Sequence, residues 1–237
     1  MFSIKENDHF IEISNYSLKC EGLEKNKDRE RNYKLESSMR SKNNVIEYAL
    51  NNEWTHFITI TLNPKLIDRT NYKLIKNKIV KFFNNFNYRY DEDFKYILIP
   101  ELHKRKEKNG KKAVHFHGFV YMTNTQDLKY IKTVQNAIIY TNIKIKETFG
   151  RNDFTVIYNS KEFIGYYISK YISKSFGDIL CGQRYFCSNG LKKSKITIYQ
   201  DLKSFRELGL SPTYKNQFVT KWKFTKDEYK ELKKYLN

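Results

Sequence analysis

Two histidines separated by one residue, His115-Phe116-His117, are the side chains in this sequence best suited to chemistry. They fall within Ala113–Met122, whose β-branched and aromatic residues predict a strand. Because side chains alternate along a strand, both imidazoles point to one face and Phe116 to the other. Two neighbouring imidazoles suit a divalent metal with nitrogen and oxygen ligands. We disfavour two ordinary histidines on a solvated face, because the chain has only five histidines.

The strand before this one supplies a candidate carboxylate. The β-rich segment Phe94–Pro100 is joined to the histidine strand through a charged stretch that contains Asn109-Gly110, a hairpin signal. A three-residue loop with Gly110 in the left-handed region pairs Glu107 with Lys111. The hairpin geometry therefore decides which earlier side chains meet the histidines.

In that register His103 lies opposite His115 and Glu101 lies opposite His117, all on one face. A two-residue Asn-Gly turn would instead place Glu101 on the other face, so the register matters. The first pairing predicts a metal site formed by His115, His117 and Glu101, with His103 beside it. Such a set could hold Mg²⁺ or Mn²⁺, and the bound ion would polarise a phosphodiester. It could also hold non-haem iron, but the basic charge and the tyrosine helix described next argue against oxygen chemistry.

Residues 166–174, YYISKYISK, repeat the unit Tyr-Ile-Ser-Lys. At about 100° per residue, Tyr167, Tyr171 and Lys174 share one stripe of a helix, flanked by Lys170. A separate apolar stripe is available for packing: Ile168, Ile172 and Phe176. A phenol with a pKa of about 10 is a poor nucleophile until a cation stabilises the phenolate. The stripe suits attack on phosphorus, whereas the alternative is a set of packing tyrosines with solvated lysines.

The surrounding pattern predicts the elements that position these residues. The predicted strands are Thr55–Leu62, Phe94–Pro100, Ala113–Met122 and Phe154–Tyr158, with Lys195–Tyr199 as an added edge strand. The predicted helices are one that ends near Leu50, Thr70–Tyr88, one or two within Leu128–Phe149, Lys161–Phe176, and a last one opened by the capping box Thr225–Glu228. For Phe2–Ile13 the pattern leaves two interpretations open, a strand pair and a flexible arm. The order predicts an α+β fold, a ferredoxin-like or RRM-like antiparallel sheet with a β-α-β-β-α-β core and helices on one face.

Charge indicates the class of partner. The chain carries 44 Lys+Arg and 26 Asp+Glu, a net charge of +18, which favours a polyanion such as nucleic acid. Residues 1–50 contain nine basic and nine acidic residues, so the excess lies in residues 51–237. We therefore expect an N-terminal extension over 1–50 and the catalytic domain, with a C-terminal helical extension, over 51–237. Three scattered cysteines, no signal-like N-terminus and no long apolar run predict a cytoplasmic protein without a membrane partner.

The ordered motifs resemble those of the HUH endonucleases, in particular two-tyrosine rolling-circle replication initiators of phages and plasmids. Residues 57–62 (FITITL) are similar to the family's first strand, His115-Phe116-His117 to its histidine motif, and Tyr167-x-x-Lys170-Tyr171-x-x-Lys174 to its tyrosine motif. Residues 184–193 are similar to a stretch in filamentous- and spiroplasma-phage-type initiators. The tyrosines follow the histidines, as in initiators and unlike plasmid-transfer relaxases.

The resemblance implies that a metal held by His115, His117 and Glu101 orients a phosphate of single-stranded DNA at a replication origin. It implies attack by Tyr167 or Tyr171 to give a 5′-phosphotyrosine and a free 3′-OH, with Lys170 and Lys174 beside them. No GxxxxGK[ST] pattern occurs, so unwinding is expected from a host helicase, with a host polymerase extending the 3′ end. Two alternatives stay open: a transposase with the same chemistry, and a non-catalytic single-strand-binding module.

Overall fold

The computed structural model describes two compact units. Its described residues are 1–16, 29–89, 93–158, 167, 182–199, 202, 205, 207–216 and 219–234. The larger unit comprises residues 31–191, and the smaller unit comprises residues 1–30 together with 192–237. The larger unit contains all the candidate ligands and has 27 basic and 14 acidic residues, a net charge of +13.

Both units contain strands and helices. In chain order the strands are β1 Phe2–Glu6, β2 Phe10–Tyr16, β3 His56–Thr61, β4 Lys95–Lys106, β5 Lys112–Tyr121, β6 Leu128–Val134, β7 Ala137–Asn142, β8 Asn152–Val156, β9 Phe186–Cys187, β10 Lys195–Tyr199, β11 Tyr214–Lys215 and β12 Val219–Thr225. The helices with described bounds are α1 Arg29–Asn51, α2 Tyr72–Arg89, α3 Ile143–Phe149 and α4 Lys226–Lys233. The predicted α+β class is confirmed.

The larger unit is built on a seven-stranded antiparallel sheet in the order β6-β7-β8-β3-β5-β4-β9. The succession β3-α2-β4-β5-α3-β8 gives the β-α-β-β-α-β core, and its strands lie side by side as β8-β3-β5-β4, the ferredoxin-like arrangement. The β6–β7 hairpin extends the sheet beyond β8. The strands predicted near residues 55–62, 94–100, 113–122 and 154–158 are therefore confirmed.

Two apolar clusters cover the two faces of this sheet. On one face α2 and α3 bury Ile79, Phe83 and Phe149 against strand residues that include Ile60 and Phe116. Alternate strand residues point the other way, and there α1 packs on the sheet through a second cluster: Val45, Ala49, Trp54, Ile97, Ile99 and Phe119. The sequence pattern placed the helices on one face, whereas α1 covers part of the face that was expected to be open. The candidate ligands lie on that second face.

The β4–β5 hairpin closes with the predicted turn. The amide of Glu107 donates to the carbonyl of Lys111 at 2.7 Å, and the amide of Gly110 donates to the carbonyl of Glu107 at 2.9 Å. Gly110 has φ 76°, the left-handed conformation that this three-residue loop requires and that glycine adopts without strain. The turn type thus follows from Asn109-Gly110.

Farther from the turn the predicted register is wrong. Between Leu102 and Lys106 the register shifts, because this stretch of β4 has two more residues than the stretch of β5 that faces it. Glu101 therefore pairs with His115 rather than His117, and His103 falls in the irregular stretch instead of opposite His115. Because a shift of two residues preserves the alternation of side chains, Glu101 still points to the face of both histidines.

The helices predicted over Leu128–Phe149 are also wrong for most of that segment. Residues 128–142 form the β6–β7 hairpin, and only α3 is helical. Gln135 and Asn136 make the turn with φ values of 47° and 65°, the positive pair expected of a type I′ turn. Gln-Asn is a weak turn signal, so the local sequence gives little indication of this hairpin. The Asn142 side chain then accepts from the amide of Ile145 and caps α3.

The smaller unit is a five-stranded sheet in the order β10-β1-β2-β12-β11. Phe2–Ile13, which the sequence left open, thus falls on two paired strands. Lys195–Tyr199 is an edge strand as predicted, and it pairs with β1. The predicted capping box at Thr225 and Glu228 opens α4. The helix predicted over Lys161–Phe176 lies outside the described residues except at Tyr167, which is helical.

None of the helices in the described ranges combines the length and the apolar character needed to cross a membrane.

His56 makes stability depend on pH. Its ring is only 6% exposed, packs 5.9 Å from the Phe154 ring, and burial lowers its pKa to about 4. As the pH falls below 6.5, the ordinary pKa of histidine, His56 binds a proton in the unfolded chain but not in the folded chain. The contribution of neutral His56 to the free energy of unfolding is therefore complete above pH 6.5. It is lost as the pH falls towards 4, at up to about 1.4 kcal/mol per pH unit.

We expect His56→Gln to reduce the slope of the free energy of unfolding against pH by that amount between pH 6.5 and 4.5, as measured by urea-induced unfolding. Equal slopes in both proteins would contradict this.

Candidate metal centre

Three side chains converge on the face of the sheet that α1 partly covers. Oε2 of Glu101 lies 3.2 Å from Nε2 of His115 and 3.1 Å from Nε2 of His117. The candidate ligand atoms all lie within 4.8 Å of one another, close enough for one metal ion to bind all three. The side chains are between 16% and 23% exposed, so they are shielded but reachable from solvent. We call Glu101, His115 and His117 the triad.

The strands β4 and β5 position the triad directly. His115 and His117 are two residues apart on β5 and so share a face, and Glu101 is the direct cross-strand neighbour of His115. The carboxylate reaches the second imidazole on the diagonal, a separation that long side chains in a sheet can bridge. One hairpin thus delivers all three ligands without a contribution from any loop.

Thr59 holds one of the imidazoles in place. It is the β3 neighbour of His117, and its Oγ1 lies 3.2 Å from Nδ1 of that histidine. For Nε2 to bind an ion, Nδ1 must carry the proton, and it then donates to Thr59. Thr59 was predicted only as part of a strand motif and not as a site residue. Its role could have been inferred from the alternation of Thr59 and Thr61 along β3, had the order of the strands been known.

Burial changes the pKa of His115. Removal from water lowers the pKa of its imidazole, an effect that the Glu101 carboxylate opposes and that His103 reinforces. The neutral form, which is the form that binds metals, is therefore favoured. Its Nδ1 is buried and has no hydrogen-bond partner among the described residues. Burial thus keeps this imidazole ready to accept a cation.

Gly118 permits the close approach of β4 and β5 beside the triad. A Cβ at this position would lie 1.8 Å from the carbonyl oxygen of Ile97, which no real side chain tolerates. Gly118 follows His117 directly and pairs with Leu98, so the constraint acts one residue from a ligand. A glycine inside a strand is a known sign of close backbone contact, so the sequence did contain a signal for this residue, although Gly118 was not among the predicted site residues.

The other predicted site residues fall in three places. His103 lies beside His115 with ring centroids 4.7 Å apart, but it is not one of the three residues whose ligand atoms converge. Tyr167 is half-buried, and its ring packs 5.1 Å from the ring of Phe57. Lys170, Tyr171 and Lys174 lie outside the described residues, as does Tyr166.

The contact with Phe57 relates Tyr167 to the triad. Phe57 and Thr59 are two residues apart on β3 and point to the same face, about 7 Å from each other along the strand. Thr59 in turn contacts His117. Tyr167 therefore packs on the face that carries the triad.

The fold and the triad together define a class of protein: an α+β protein with a two-histidine, one-carboxylate cluster on one face of a ferredoxin-like sheet. The family model of the ORF2-type replication-associated protein matches residues 55–176, just over half of the chain. The chain belongs to this family, whose name points to a role in starting replication. Neither a curated protein nor a solved structure gives a significant match.

The triad predicts a metal-dependent gain in stability. Manganese chloride should raise the melting temperature of the wild-type protein, because an ion that binds only the folded state stabilises it by mass action. His115→Ala/His117→Ala should lose most of this rise, since one carboxylate alone is a weak site. His9→Ala, a histidine of the smaller unit, is the matched control and should keep the rise. An equal manganese effect in the double variant and the wild type would place the ion elsewhere.

Proposed function

We propose that this protein nicks and rejoins single-stranded DNA at a replication origin, with a tyrosine as nucleophile, and so starts and ends rolling-circle replication. The observation that carries the proposal is the triad on the same sheet face as Tyr167. Membership of the replication-associated family and the net charge of +18 support it. In this reading the chain is a two-tyrosine HUH endonuclease of a phage or plasmid.

The donor set fits a divalent ion such as Mg²⁺ or Mn²⁺. Glu101, His115 and His117 offer one oxygen and two nitrogens, and three protein ligands would leave other coordination positions for phosphate oxygens. A bound ion would polarise the phosphodiester and offset its negative charge. Thr59 keeps His117 oriented, and burial keeps His115 neutral.

The tyrosine hydroxyl performs the covalent step. The phenolate oxygen forms a bond to phosphorus, the bond from phosphorus to the 3′ oxygen breaks, and its electron pair stays on that oxygen, which takes up a proton. The products are a 5′-phosphotyrosine and a free 3′-OH. The reverse attack by a 3′-OH restores the diester and frees the tyrosine, so one chemistry serves both initiation and closure.

We propose that Tyr167 and Tyr171 both act as nucleophiles. Their four-residue spacing corresponds to one helical turn, about 6 Å, and a lysine follows each of them at the same offset. Lys170 and Lys174 would stabilise phenolate and the phosphate charge. We assign the first attack to Tyr171 and the closing transfer to Tyr167. A host helicase and polymerase would supply unwinding and synthesis in the cytoplasm.

A covalent adduct is the product that tests the proposal. The protein should be incubated with Mn²⁺ and overlapping single-stranded oligonucleotides that cover both strands of the DNA element encoding it. We expect mass spectrometry to find a nucleotide adduct on Tyr171 or Tyr167. Tyr167→Phe and Tyr171→Phe should each retain cleavage but lose joining, and the double variant should lose both, because neither proposed nucleophile remains.

Tyr158→Phe is the matched control, since this tyrosine is 70% exposed and follows β8 in the same unit. It should cleave and join like the wild type. An adduct on Tyr166 would overturn the assignment of residues. Tight binding of the oligonucleotides without any adduct or cleavage would favour a non-catalytic binding module, and cleavage confined to hairpins at the element's ends would favour a transposase.

A further inference from the structure

A cavity of about 530 Å³ lies where β6 and the end of β7 meet the segment from α3 to the start of β8 and Asn63, the second residue after β3. Its lining includes three cationic side chains: Lys132, Lys146 and Arg151. It also includes the aliphatic side chain of Ile131 and the polar side chains of Thr141 and Asn63. The volume lies within the range of about 300–1,000 Å³ in which proteins bind small ligands.

The walls of the cavity are fixed by the backbone. Gly150 has φ 116°, and a Cβ there would lie 2.7 Å from Cβ of Asn63, so only glycine lets α3 turn into β8 this close to β3. The buried side chain of Asn152 accepts from the amide of Asn142 at 2.7 Å and donates to its carbonyl at 3.0 Å. These contacts hold α3 and β8 in fixed relation and keep Lys146 and Arg151 at the same opening.

The charge of the cavity favours an anion. Lys132 and Lys146 are exposed, and no carboxylate pairs with either of them in the part of the chain that the structure describes. Arg151 contacts Asp153 at 3.1 Å, but the Arg151 side chain is 71% exposed and can turn to a ligand. Three cations therefore face one carboxylate. The side-chain carbonyl of Asn63 accepts from the amide of Lys65, which leaves the side-chain NH₂ group to donate to a base or a phosphate.

Part of the cavity wall lies on the face of the sheet that carries the triad, whereas Lys146 comes from α3, which packs on the other face. Asp153 pairs with Thr59, and Thr59 pairs with His117, so these three side chains form a row across β8, β3 and β5. In the neighbouring row the amide of Thr61 donates to the carbonyl of Arg151 and Thr61 pairs with His115. Each row crosses two strand spacings, which separates the cavity wall from the triad by about 10 Å. A polymer held at one can reach the other.

We propose that this cavity binds a nucleotide of single-stranded DNA next to the scissile phosphate. Lys132, Lys146 and Arg151 would contact the phosphates, and Ile131 and Asn63 would contact the sugar and the base. The inference rests on the proposed function for its choice of ligand. It adds which residues bind the DNA strand and on which side of the triad the DNA continues.

Salt-dependent binding tests the proposal. The probe is a fluorescein-labelled 30-nucleotide oligo(dT), and the readout is fluorescence anisotropy between 50 and 300 mM salt. Each phosphate contact that is lost should reduce the slope of log affinity against log salt by about 0.7. Lys132→Ala/Lys146→Ala should therefore reduce the slope by about 1.4 and weaken binding at least tenfold at low salt. Lys132→Arg/Lys146→Arg should bind like the wild type because it keeps both charges.

Lys78→Ala/Lys81→Ala is the matched control. It removes the same charge from α2, which supplies no residue to the lining of the cavity. If both alanine pairs weaken binding and reduce the slope equally, the effect is one of net charge and the proposal is overturned. If only the cavity pair does so, the proposal stands even when no oligonucleotide is cleaved. Cleavage without any effect of the cavity pair would refute this inference and leave the proposed function intact.

Discussion

The contact between the Glu101 carboxylate and two imidazoles is the interaction on which the rest of the site depends. Burial disfavours a charged imidazole at His115, whereas the nearby carboxylate favours one, and burial is the larger effect on its pKa. A partly buried carboxylate then faces a neutral imidazole at His115, an arrangement that a bound cation would satisfy better than a proton can. The cost of bringing these groups together is met by folding, so the ligands are preorganised.

The sheet around this contact provides that preorganisation. Gly118 lets β4 approach β5 closely, and Thr59 on β3 fixes the ring of His117. On the same face α1 buries an apolar cluster over one part of the sheet, so the triad lies next to a rigid, packed support. At the ends of the strands, β8 and α3 present the cationic cavity. One sheet face thus carries the metal ligands, the contact with Tyr167 and part of the cavity wall.

The sequence predicted the site better than it predicted the register. Alternation along β5 placed both histidines on one face, and Asn109-Gly110 predicted the turn that brings Glu101 near them. The irregularity after Leu102 was not predictable, because it depends on how the strands fit in three dimensions rather than on local composition. Its two-residue size preserved the face, which is why the predicted ligands meet despite the wrong partner. The β6–β7 hairpin was missed because its turn, Gln135-Asn136, lacks glycine, and the pairing of β1 with β10 was missed because it joins distant parts of the chain.

The most direct measurement of the central claim is anomalous diffraction from crystals soaked in manganese chloride, recorded near the manganese absorption edge. We predict one strong peak about 2.2 Å from Oε2 of Glu101 and from Nε2 of His115 and His117. The peak should disappear in crystals of His117→Ala. Manganese bound by other residues, with no peak among these three atoms, would contradict the account.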